Sequence, residues 1–340
     1  MADIKKALNA ILYFVDEEYK TSHPDTLERL AIRRGDLDEF MPFATANKLS
    51  YYFCKRVLEE CPELSSEVIR SVVDQGERHF VKVRRTLEFI STVFNKENLN
   101  FLVIKTFKNI PYVTQDIDIS VKSETLSNAE KALENNGAKK VGTKLLKAII
   151  QLGLGSPDYG INDLLTIDLY RNIPWPGLLS FDEGFLWRNP RTVNSHEGKY
   201  LIPNYEADFL LIIESALLTD GTITLLDFLY INSLLKKNLD FDELQKQTSR
   251  YGWKSPFREA ISILKAIKKA IYQGDYVPES IKFPYVFPLR VILRALSGQA
   301  HVTFLNHPMS LPQLLTRIGF HCFFGRIYAD AINVKRKFGW

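Results

Sequence analysis

Two aspartates stand at alternate positions of one apolar run, Asp116–Ile117–Asp118–Ile119–Ser120–Val121. Strict alternation is the period-2 signature of a β-strand, and it puts Asp116 and Asp118 on one face. Asp is disfavoured in strands because it bonds its own backbone and is costly to bury. Carboxylates side by side repel, so one of them binds its proton more tightly unless a cation neutralises the pair. A divalent metal ion is the simplest such cation. Mg²⁺ in particular prefers few carboxylates together with phosphate oxygens. A third carboxylate, Asp168, has the same setting in Thr166–Ile167–Asp168–Leu169–Tyr170. Three strand carboxylates suit two metal ions about 3.5–4 Å apart, arranged for in-line attack at phosphorus. For the Asp116–Asp118 pair without Asp168, the competing reading is a solvent-facing strand or turn edge.

The elements that must position these residues follow from periodicity. Residues 1–97 read as helices, with Phe80, Val83, Leu87, Ile90 and Phe94 forming an apolar stripe at helical spacing. Leu99–Ile104 is a short apolar run rich in β-branched and aromatic residues, which suits a buried strand. Ser123 to Asn136 reads as a helix with Ser123 as N-cap and Gly137 just past its end. Ala138–Val141 and Leu164–Tyr170 read as further strands, and residues 178–203 as a loop-rich stretch. Ala207–Leu218, Leu225–Lys237 and 256–273 return to helical spacing. A proline-rich linker and two or three closing helices follow. The expected fold class is α+β, with a central mixed sheet unit (98–203) between helical regions at 1–97 and 204–340.

The bulk properties are permissive. The chain has 340 residues, 46% hydrophobic and 25% charged, which suits a folded protein and excludes extensive disorder. A net charge of +4 is mildly basic and gives no footprint of an obligate nucleic-acid binder. Three cysteines make no disulfide framework; Cys54, Cys61 and Cys322 read as small buried apolar groups, and a reducing, cytoplasmic location is expected. The first residues lack a secretory pattern, and no apolar run is long enough for a membrane span.

Strand, basic loop, Asp-x-Asp strand, helix and a later aspartate-bearing strand together resemble the nucleotidyltransferase superfamily that includes DNA polymerase beta. The chain is most similar to its uncharacterised bacterial and archaeal nucleotidyltransferase-like group. The corresponding segments are Phe101–Lys105, Gln115–Ser120 and the helix ending at Gly137, within roughly residues 45–240. The resemblance implies a nucleotidyltransferase-like core that moves a nucleoside monophosphate from an NTP to a hydroxyl, releasing pyrophosphate. It implies that Asp116 and Asp118 bind Mg²⁺ (or Mn²⁺) ions. By the same likeness Asp168 binds the second metal and helps activate the acceptor. The acceptor class stays open among small molecule, sugar, protein side chain and RNA end.

One departure concerns the phosphate loop. The superfamily has Gly-Gly or Gly-Ser after its first strand, where a missing Cβ lets backbone amides approach a triphosphate. This chain has Lys105–Thr106–Phe107–Lys108–Asn109. Thr106 offers a hydroxyl, and Lys105 and Lys108 offer point charges for phosphates; the alternative for the lysines is a solvated loop. The alternative function is therefore a catalytically degenerate fold serving as a nucleotide- or partner-binding module. A third reading makes the helical flanks the working surface. His301, His307 and His321 are spaced too loosely for a metal site, and His196 lies in the polar loop Asn194–Gly198, with a reach to the site as its minor alternative. Leu311–Ile327, followed by Lys335, Arg336 and Lys337, reads as a packed helix with a basic tail. Its alternative is an amphipathic element suited to a membrane surface or nucleic acid.

Overall fold

The computed structural model describes residues 4–141, 157–170, 174–175, 178–179, 182–195, 198–215, 222–251, 254–273 and 281–282. The chain is a mixed α+β protein. Six helices come first: α1 (Ile4–Val15), α2 (Glu17–Ser22), α3 (Thr26–Leu30), α4 (Arg34–Ala46), α5 (Ser50–Glu60) and α6 (Glu67–Lys96). The 30-residue α6 starts where Ser66 Oγ accepts from the Ile69 amide, satisfying one of the free amides of the first turn.

The sheet is built from β1 (Leu102–Ile104) and β2 (Asp116–Ser120), then, after α7 (Leu126–Asn135), from β3 (Lys139–Val141), β4 (Asp158–Gly160) and β5 (Thr166–Tyr170). Its order is β1-β2-β5-β4-β3, with β2 and β5 parallel and the other pairs antiparallel. Next come the short pair β6 (Pro174–Trp175) and β7 (Leu178–Leu179), α8 (Glu183–Leu186), and the hairpin β8 (Arg191–Ser195) with β9 (Gly198–Ile202). The chain continues with α9 (Tyr205–Ile213), β10 (Thr222–Ile223), α10 (Leu225–Leu235), α11 (Phe241–Arg250), α12 (Lys254–Gln273) and β11 (Ile281–Lys282), which pairs with β10.

Two apolar cores lie on opposite sides of the sheet. Ile117, Ile119, Ile167, Leu169, Val103 and Tyr159 join Ile90, Phe94 and Leu133 on one side. Leu102 and Ile104 point the other way, into a larger core. That core unites the early helices, through Ile11, Phe40 and Phe53, with the late ones, through Phe209, Leu226 and Phe257. The N-terminal and C-terminal helical segments therefore form one body against which the sheet lies.

Several local expectations need correction. Ser123 does not cap α7. Residues Ser123–Thr125 form a 3₁₀ turn, and the Ser123 amide and hydroxyl both donate to the Glu183 carboxylate on α8. The Ser123 hydroxyl is thereby committed to Glu183 and does not accept from the first turn of α7. The stretch 178–203 is not mainly loop; it contains α8 and the β8–β9 hairpin, whose polar alternation is too short to stand out. Helix α11 is an addition, opened by Asp240 accepting from the Asp242 and Glu243 amides. Cys54 is buried but Cys61 is partly exposed. Cys322, His196, His301, His307, His321 and the expected closing helices lie outside the described residues. Among the described residues no helix is long and apolar enough to cross a membrane.

Candidate functional site

The register of β2, β5 and β4 builds the site. Asp118 pairs with Asp168 across the parallel strands, and Asp168 pairs with Asp158 across the antiparallel ones. Paired residues share a face, so Asp118, Asp168 and Asp158 form a row across three strands. Asp116 lies one pleat along the same face. The isoleucines between them are fully buried on the opposite side, which locks the register, because a one-residue slip would turn the acids into the core.

The row is electrostatically strained. Burial, then the charges of Asp158, Asp116 and Asp118, push the Asp168 carboxyl up to about 8. Burial also raises Asp158, partly opposed by its hydrogen bond with Asp168 and reinforced by Asp118. Asp116 is raised by burial and by Asp118, against the opposing charge of Lys105. The Asp158–Asp168 pair thus holds a proton between its members where isolated carboxyls are ionised.

Cations and a tight turn border the row. Lys105 Nζ lies 3.8 Å from Asp118 Oδ1 and 4.9 Å from the centre of the Tyr170 ring. The Lys105 backbone has φ 57°, a left-handed value uncommon for a residue with a Cβ. Three hydrogen bonds hold it there. The Thr106 amide (2.6 Å) and hydroxyl (3.1 Å) both donate to the Ile104 carbonyl, and Tyr112 Oη donates to the Lys105 carbonyl at 2.9 Å. The turn after β1 is therefore closed on itself, with Thr106 folded back.

Lys108 is not a solvated loop lysine. Its side chain is 5% exposed and pairs with Asp227 Oδ1 at 2.8 Å, near the start of α10. Its ammonium also lies over the rings of Tyr112 and Tyr230. Burial alone would raise Asp227, but the Lys108 and Lys48 charges and hydrogen bonds from Lys108 and Thr224 hold it below the usual carboxylate range. Tyr230 Oη in turn donates to Asp208 and lies 3.3 Å from the Phe107 carbonyl, and Arg191 pairs with Asp208 at 2.7 Å. A buried polar network thereby ties the loop to α9, α10 and β8.

Of the expected site residues, the structure brings Asp116, Asp118, Asp168 and Lys105 together. It turns Thr106 back and commits Lys108 to Asp227. Asp158 was not legible as a site residue: it opens a three-residue strand that follows Pro157 and ends at Gly160, too short to show alternation. The donor set is four carboxylates, hard oxygen ligands of the type that Mg²⁺ takes. As the side chains stand, no three His, Cys, Asp or Glu groups among the described residues are grouped to hold a metal ion. An apolar cavity of about 410 Å³ between α10 and α12 shares no residue with the row.

Comparison with known proteins adds no relative: no family model matches this chain, and no curated protein matches it.

Proposed function

We propose that this chain is a Mg²⁺-dependent nucleotidyltransferase with a nucleotidyltransferase-like core, acting on a hydroxyl acceptor. The observation that carries the reading is the Asp118–Asp168 pairing across β2 and β5, with Asp116 on the same face. Buried like charges with elevated proton affinity are characteristic of sites that bind cations or move protons. Asp116, Asp118 and Asp168 would be the residues that hold the metal. When bound, Mg²⁺ supplies positive charge against the triphosphate and the acceptor oxygen.

The residues then divide the work. Lys105 screens Asp118 and faces the phosphates. Asp168 takes the proton from the acceptor hydroxyl as its oxygen bonds to the α-phosphorus. The bond to the bridging oxygen breaks and pyrophosphate leaves. Positioning and charge neutralisation supply most of the rate in such transfers.

One observation favours the alternative of a binding module without transfer. The turn after β1 has no glycine, and both the Thr106 hydroxyl and the Lys108 ammonium are already engaged. Thermal-shift titration with ATP, GTP, CTP and UTP, each with and without Mg²⁺, tests the proposal. A shift that needs both metal and nucleotide, lost in Asp118→Ala, is expected. The absence of any shift at millimolar ligand overturns nucleotide binding altogether. Binding without pyrophosphate release, across a panel of sugar, peptide and RNA acceptors, favours the binding module.

A further inference from the structure

The closed turn after β1 raises the question of what would hold a polyphosphate. Lys48 lies on the turn between α4 and α5. Its neighbour Asn47 is buried and clamps the start of α10: Asn47 Oδ1 accepts from the Leu225 amide at 2.9 Å and its carbonyl from the Leu226 amide at 3.4 Å. Asn47 Nδ2 donates back to the Phe43 carbonyl at 3.0 Å. Residue 48 is thus pinned beside the first turn of α10, where Asp227 bonds Lys108 from the loop after β1. The backbone at Lys48 has φ 59°, a conformation that disfavours side chains with a Cβ. A glycine would fit with less strain, yet a lysine is there. The Lys48 side chain is exposed and makes no ion pair among the described residues. Its charge acts on both Asp116 and Asp227.

We infer that Lys48 is a polyphosphate-binding residue, which together with Lys105 takes the triphosphate tail of the nucleotide in place of a glycine-rich cradle. The inference rests on the nucleotidyltransferase reading and deepens it. The two lysines stand on different elements, Lys105 on the turn after β1, 3.8 Å from Asp118, and Lys48 on the turn of the helical body that Asn47 fixes to α10. A lysine ammonium is a compact charge with three donors, which meets phosphate oxygens without fixed geometry. Two such charges offset part of the four negative charges of a triphosphate, and Mg²⁺ offsets most of the remainder.

The test measures binding of the preferred NTP, its nucleoside and inorganic tripolyphosphate, all with Mg²⁺, to wild type, Lys48→Ala, Lys48→Arg and Lys48→Gly. Lys48→Ala is expected to weaken NTP and tripolyphosphate binding at least tenfold and to leave nucleoside binding within twofold. Lys48→Arg should restore most of it. Lys48→Gly relieves the backbone, so it should melt at or above the wild-type temperature while still losing polyphosphate affinity, which separates charge from folding. Wild type that binds NTP while all three variants bind equally well overturns the role of Lys48 alone. Wild type that binds neither NTP nor tripolyphosphate overturns the nucleotide reading and this inference with it.

Discussion

Asp118 and Asp168 stand in register on parallel neighbouring strands, and Asp158 extends the row from the other side of Asp168. Such a row is a standing electrostatic cost to the fold. Proteins retain costs of this kind where a bound cation or a proton transfer requires them.

That cost sets a pH dependence in metal-free buffer. The Asp168 carboxyl has an ordinary value of 3.8 and is pushed up to about 8 in the fold. Between those limits the native state binds more protons than the unfolded state, so stability falls as pH rises. The native state has its full advantage below the ordinary value and loses it progressively up to about 8. Urea titrations from pH 5 to 8 should show this decline, and Asp168→Asn should flatten it. At pH 7.5 the variant should melt roughly 2 °C higher, corresponding to about 1 kcal/mol. A wild-type profile that rises with pH over this range contradicts the assignment.

Metal binding should show the opposite trend. Ligand carboxylates must lose their protons before coordinating, so Mg²⁺ affinity should increase between pH 6 and 8, with protons released. Calorimetry in two buffers of different ionisation enthalpy measures that release directly. Proton-neutral Mg²⁺ binding would place the ion elsewhere.

The Lys108–Asp227 pair makes a stability prediction independent of catalysis. Its side chains are 5% and 9% exposed, so removing one partner leaves a buried charge unmatched. Lys108→Met or Asp227→Asn should each cost about 3–5 kcal/mol. The double variant should cost clearly less than the sum, which a double-mutant cycle in urea resolves.

Gly76 fixes the approach of α6 to α5. A Cβ there would lie 2.0 Å from Cδ2 of the Tyr51 ring. Alanine favours a helix interior by about 1 kcal/mol over glycine, but here the overlap dominates and Gly76→Ala should lower Tm. Adding Tyr51→Ala removes the clash, so the double variant should melt higher than the sum of the single effects. Additive losses would show that the ring simply swings aside.

The amino-acid sequence by itself determined the local features. The alternation in 116–121 and 166–170 committed those segments to strands, buried Ile117, Ile119, Ile167 and Leu169, and placed Asp116, Asp118 and Asp168 on one face of their strands. These outcomes need only neighbours in the chain, because the period of a strand is a property of its own backbone. The tertiary structure decided the rest. Strand order put Asp158 against Asp168, and the shared helical core brought Asp227 to Lys108 over 119 positions. It also seated the Asn47–Lys48 turn on the start of α10. None of these pairings has a local signature, since strand order and helix docking are set by which distant apolar faces bury one another.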